Sequence, residues 1–121
     1  MPVSSSTTSQ SAAIVWDSHS CLPLASGIDL GVLRRHKASG FDYVSINVGM
    51  DMNPLDQVMR TIAWFRHWIA QHPDEFVQVD SFADVAAAKK AGKLAVSFDL
   101  EGSRMLLEDV AMVEFYRDLG V

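Results

Sequence analysis

Ile14-Val15-Trp16-Asp17-Ser18-His19-Ser20-Cys21-Leu22-Pro23 runs three apolar residues into an Asp-x-His-x-Cys pattern and stops at a proline. Such a stretch reads as a short buried strand whose C-terminal end delivers polar, metal-competent side chains to a sheet edge. Period-two alternation puts Asp17, His19 and Cys21 on one side and Ser18 and Ser20 on the other. An imidazole and a thiolate two residues apart on one face can grip a single divalent ion. The same residues also describe a hydrogen-bonded strand-end histidine beside an ordinary buried thiol. What the rest of the chain brings to that edge weighs between the two.

Downstream, Leu22 to Gly27 reads as a loop, with Asp29 as the N-cap of a helix carrying Leu30, Val32 and Leu33. Arg34, Arg35 and Lys37 fall in its last turn, where the helix dipole favours cations, and Gly40 stops it. Phe41 to Val48 alternates and is rich in aromatic and β-branched residues, the signature of a second strand. Asn53 as cap and Pro54 at the first helical position then open the strongest helix. Leu55, Val58, Met59, Ile62, Phe65 and Ile69 give it one broad apolar face, and Pro73 ends it.

Phe76 to Val79 is a short strand candidate. Ser81, with Asp84 three residues on, marks a capping box that opens a helix closed by Gly92. Leu94 to Leu100 is a nearly all-apolar strand, as expected when both faces are covered, and it runs into Glu101-Gly102. A last amphipathic helix carries Leu106, Leu107, Val110, Val113 and Tyr116 up to Gly120.

Strands that alternate with helices predict an α/β fold of βα units with a parallel sheet. Two strand ends carry metal-competent groups, His19 with Cys21 and then Glu101, which is how a (β/α)8 barrel assembles its site. A complete barrel of this kind needs about 250 residues. Three or four strands therefore read as the N-terminal portion of a TIM-type barrel with parallel strands, incomplete in this chain. Residues 1–12, rich in Ser and Thr, read as a disordered lead-in, and residues 13–121 as the barrel part.

A net charge of -5 argues against nucleic acid or anionic lipid as the main partner. The single cysteine rules out an internal disulfide framework and points to a reducing compartment, the cytoplasm. No run approaches the roughly 18 apolar residues of a membrane span.

Trp16-Asp17-Ser18-His19-Ser20-Cys21-Leu22-Pro23 resembles the Asp-x-His-x-Asp-Leu-Pro opening of the renal (membrane) dipeptidase family of zinc peptidases. The spacing to the long helix from Asn53 to His72 is similar too. Ala87-Ala88-Lys89-Lys90-Ala91-Gly92-Lys93-Leu94, followed by Phe98-Asp99-Leu100-Glu101-Gly102, resembles that family's Gly-Lys strand ending in Glu-Gly. Phe115 to Val121 is similar to the helix end before its next strand. The resemblance covers nearly the whole chain after residue 13.

The resemblance implies a two-zinc site in an amidohydrolase-type barrel that cleaves dipeptides or similar small amides. In it, His19 matches a zinc ligand of the first strand and Glu101 matches the carboxylate bridging both ions. Cys21 stands where an aspartate ligand is expected, and a thiolate can take that place. Asp17 either accepts a hydrogen bond from a ligand or a loop amide, or is simply structural. The family's later histidines, substrate-binding arginine and last aspartate have no counterpart before Val121. No catalytic group beyond the metal ligands is then expected in the chain, and by itself it should be inactive.

Other residues have simpler readings. Glu101 taken alone is a solvated loop carboxylate. His36, His67 and His72 lie on helices or at a helix end without metal-like spacing and read as solvated. Trp64 and Trp68, one helical turn apart, read as packing. Asp42 and Asp99 fall inside strand patterns, the role of Asp99 staying open, and Arg104 reads as a surface residue. Three functions fit: a metallodipeptidase, another metal-dependent amidohydrolase, or a non-catalytic product, either truncated or assembling with a second chain. An open sheet edge also makes self-association into a homo-oligomer an expectation.

Overall fold

The computed structural model describes residues 13–121, so the lead-in expected over residues 1–12 lies outside the described part. Four strands, β1 (Trp16–Ser20), β2 (Tyr43–Met50), β3 (Phe76–Gln78) and β4 (Leu94–Glu101), alternate with helices α1 (Leu33–Ala38), α2 (Leu55–Ala70), α3 (Phe82–Lys90) and α4 (Ala111–Asp118). All pairings are parallel and the order across the sheet is β1-β2-β4-β3. The three-residue β3 covers only the start of β4. Beyond it, the Phe98 amide donates to the Gly120 carbonyl at 2.8 Å, so the segment after α4 takes over the same edge.

One face of the sheet is apolar throughout. Val44, Ile46 and Val48 of β2 and Leu94, Val96 and Phe98 of β4 join Leu33, Val58, Ile62, Phe65 and Tyr116 in a single core. Phe65 is fully buried and meets Phe98 edge-on at 6.2 Å. Burying one such side chain contributes about 2 kcal/mol. Helix α2 lies close enough to β2 that a Cβ on Gly49 would come within 2.7 Å of Val58 Cγ2.

The opposite face divides in two. At the strand starts, α3 sets Val85 and Ala88 against Val79 and Ala95, with Tyr43 and Val77 alongside. Towards the strand ends the face turns polar, with Ser45, Asn47, Ser97, Asp99 and Glu101. The alternation that buries Val44 and Val96 on one side dictates this.

Several expected caps resolve differently. Asp29 bonds the Gly31 amide at 2.8 Å in a local turn, and α1 begins only at Leu33 without a side-chain cap. Asn53 accepts from the Met50 amide at 2.7 Å, which leaves Pro54 as the residue before α2. Both side chains satisfy a nearer loop amide first, the competition that makes Asx residues turn formers. Ser81 caps α3 as expected, accepting from the Asp84 amide at 3.2 Å.

The last helix is not one helix. Arg104–Leu106 forms a 3-10 turn, Leu107 and Glu108 adopt left-handed backbone with φ 53° and 57°, and α4 starts at Ala111. Tyr116 is buried as expected, while Leu107, Val110 and Val113 are exposed. No helix among the described residues is long and apolar enough to cross a membrane.

Candidate metal centre

The strand ends of β1 and β4 meet above the polar half of the sheet. His19, Cys21 and Glu101 each present a ligand-capable atom there, all within 4.8 Å of one another. His19 Nε2 lies 3.5 Å from Cys21 Sγ and 3.7 Å from Glu101 Oε2. Two donors on a tetrahedral zinc stand about 3.3–3.8 Å apart, given bonds of about 2.0–2.3 Å. Imidazole nitrogen, thiolate sulfur and carboxylate oxygen are the donors zinc accepts, and three protein donors leave a fourth position open. The three residues expected to hold metal are thus brought together, and they could hold one ion.

The approach of His19 depends on a break in β1. Asp17 pairs with Val44 but Ser20 pairs with Ile46, so three steps along β1 match two along β2. That is a bulge, and it reverses which way the following side chains point. Asp17 and Ser20, three residues apart, consequently share one partner. His36 Nε2 is 3.4 Å from Asp17 Oδ2 and 3.3 Å from Ser20 Oγ. Strict alternation would have kept Asp17 beside His19 and Cys21, and the bulge separates them. Asp17 still reaches His19 through the backbone, because its Oδ1 accepts the His19 amide at 3.2 Å.

A ladder of polar pairs joins β2 to β4 beneath the three donors. Tyr43 pairs with Ser97 at 2.6 Å, the Ser45 hydroxyl donates to Asp99 Oδ2 at 2.7 Å, and Asn47 Nδ2 donates to Glu101 Oε2 at 3.0 Å. Asn47 is almost completely buried, and its Oδ1 accepts the Gly49 amide at 2.8 Å. That bond fixes the amide orientation, so its NH2 group must face Glu101.

Asp99 was left open by sequence, and the structure brings it to the centre. Its Oδ1 lies 2.8 Å from His19 Nδ1. The signal was present: Asp99 and Glu101 are two residues apart on one strand and share a face. His36 departs from its solvated reading too, since its side chain is 17% exposed and packs on Phe41. His72 stacks on Trp68 with ring centroids 3.8 Å apart, whereas His67 is exposed. Trp68 is buried and Trp64 Nε1 donates to the Ile28 carbonyl at 2.8 Å, so both tryptophans pack as expected. Arg104 is exposed, its amide held by Asp51 Oδ1 at 2.9 Å.

No protein-family model and no curated protein sequence matches the chain. Solved structures do. An amidohydrolase from Pseudomonas aeruginosa superposes with a TM-score of 0.74 at 19% identity, over 89% of this chain and 32% of its own. The probable dipeptidase PvdM from Pseudomonas aeruginosa superposes with a TM-score of 0.71 at 15% identity, over 93% of this chain and 34% of its own. The chain therefore spans about a third of the length of either structure. Its α/β fold with a parallel four-stranded sheet is consistent with part of the TIM-type barrel of these neighbours.

Proposed function

We propose that this chain is the N-terminal part of a zinc-dependent dipeptidase, carrying the first ligands of a two-zinc centre. The observation that carries the reading is the convergence of His19 Nε2, Cys21 Sγ and Glu101 on one point at the ends of parallel strands. The fold shared with an amidohydrolase and a probable dipeptidase supports it.

These residues would hold zinc, and the metal when bound would supply an activated water and a Lewis acid for the scissile carbonyl of a dipeptide or similar small amide. The chain's own residues hold and tune the donors. His19 offers Nε2, and Cys21 offers its sulfur as a thiolate in place of the carboxylate of the resembled family. Glu101 would be suited to serve both ions because a carboxylate has two oxygens, and Asn47 steadies one of them. Asp17 supports His19 from behind through its amide. In a reducing cytoplasm the lone, exposed Cys21 stays a thiol available to metal.

Among the described residues the cluster offers three donors, enough for one ion. The second ion and the substrate need groups from elsewhere, so the chain alone is inactive. A second reading, assembly with another chain, is favoured by the exposed Trp16 and Phe82 bordering the open cavity on the sheet face opposite the main core.

Zinc stoichiometry by mass spectrometry tests the proposal. The wild-type chain should hold one equivalent, and His19→Ala and Glu101→Ala should each lose most of it. Full occupancy in the Glu101→Ala protein would sink the assignment.

A further inference from the structure

We propose that Asp99 is the positioning residue of this centre, locking His19 as the tautomer protonated on Nδ1 so that its Nε2 lone pair faces Cys21 and Glu101. The consequence for metal affinity rests on the metal-centre reading above, whereas the tautomer itself does not.

A neutral imidazole carries one proton and can place it on either nitrogen. An ionised carboxylate only accepts, so the 2.8 Å contact between Asp99 Oδ1 and His19 Nδ1 requires the proton on Nδ1. Nε2 is then left with its lone pair, pointing at Cys21 Sγ 3.5 Å away. The other orientation of the ring would turn a carbon towards the donors and waste the site.

Asp99 can hold this position because its own geometry is held. Its second oxygen accepts from Ser45 Oγ at 2.7 Å, and Ser45 is buried between the strands. With one oxygen on Ser45 and the other on His19, Asp99 is committed and does not compete as a ligand. Glu101, two residues further on, is more exposed, at 56% of its side chain against 26% for Asp99. The two acids of β4 thus divide the work. The inner one orients the histidine, and the outer one faces the position that an ion would take. Groups in this supporting role typically change metal affinity by about 10–100-fold when removed.

Nitrogen-15 NMR of the ring nitrogens in the metal-free, 121-residue chain at pH 8 tests the tautomer, with His19→Gln identifying the signals. Wild type should show a protonated Nδ1 and an unprotonated Nε2. Asp99→Ala should revert His19 to the mixture of a free histidine. Asp99→Asn, whose amide oxygen can still accept from Nδ1, should keep the wild-type tautomer. In a Co2+ titration followed by the thiolate-to-metal absorption band, Asp99→Ala should bind about 10–100-fold more weakly, and Asp99→Asn should recover most of the loss. A wild-type His19 protonated on Nε2, or an Asp99→Ala spectrum unchanged from wild type, overturns the inference. The expected tautomers with no Co2+ bound by any of the proteins would uphold the role of Asp99 and overturn the metal-centre reading instead.

Discussion

Lys89, near the end of α3, reaches Asp42 just before β2, its Nζ 2.8 Å from Asp42 Oδ2 and 2.7 Å from the Ala13 carbonyl. The same carboxylate oxygen accepts the Val15 amide at 2.9 Å, so one acid ties together α3, β2 and the approach to β1. Burial pushes the Asp42 carboxyl upward. The hydrogen bonds from Lys89 and the Val15 amide, with the charges of Lys89 and Lys37, outweigh that and hold it below its ordinary value. A folded pKa below the unfolded value of about 3.9 means that the stabilisation is complete above that pH. It is lost as the pH falls through the depressed folded value. Asp42→Ala should cost about 3 kcal/mol in urea denaturation at pH 7, and the gap to wild type should close in acid. A gap that stays constant down to pH 2 would show that the pair is not the cause.

Cys21 is where this chain departs from the family it resembles. As a zinc ligand the thiol should resist iodoacetamide while metal is bound and react after chelation. Cys21→Asp should retain metal, and Cys21→Ser should weaken it on the order of tenfold or more, because a neutral hydroxyl is a poor donor. Equal alkylation rates with and without zinc would leave the sulfur no role as a ligand.

Asn47→Ala should remove the support of Glu101 and leave the buried Gly49 amide without its partner. The expected loss is about 1–3 kcal/mol of stability. Zinc should also raise the melting temperature less than in wild type. A zinc-induced rise equal to wild type would show that Glu101 needs no help from Asn47.

Gly102 has φ +110°, a conformation in which side chains are strained, and a Cβ there would stand 2.6 Å from Asp51 Oδ2 and closer still to its other carboxyl atoms. Gly102→Ala should therefore destabilise by about 1–3 kcal/mol. It should also displace Asp51 from the Arg104 amide and disturb the loop after Glu101. Chemical denaturation and zinc content measure the two effects, and an unchanged denaturation midpoint would contradict the geometry.

Trp16 is 64% exposed and Phe82 73%, and both border an open cavity of about 710 Å³ on the sheet face opposite the main core. Exposed apolar surface of this kind drives association. Sedimentation should show mass rising with concentration, reduced in the Trp16→Ser, Phe82→Ser double variant. A monomer at all concentrations would rule this out.

Much of the fold is legible in the sequence because its signals are local. The apolar runs around Val44 and Val96 and the helical face of Val58, Ile62 and Phe65 need no knowledge of their partners. The capping pair Ser81 and Asp84 reads equally well. The site was legible only in part. His19, Cys21 and Glu101 can be named from residue type and strand position, but the bulge that swings Asp17 towards His36 arises from pairing with β2 and leaves no local trace. Asn53 and Asp29 read as helix caps because their competing loop amides become close only once the turns form. The break at Leu107 and Glu108 lies hidden in an apolar pattern that continues through it.

The three polar pairs between β2 and β4 all join residues 54 apart in sequence. Burial alone cannot choose among registers that differ by two residues, because such a slip returns every apolar side chain to the face it left. The polar pairs lift that degeneracy. In the native register these pairs run diagonally, Asn47 lying opposite Asp99 while it bonds Glu101. A two-residue slide that joined residues 52 apart would set Asn47 on Asp99 and leave both Tyr43 and Glu101 without partners. The ladder therefore acts as a vernier, setting the phase of the sheet where hydrophobicity is blind to it.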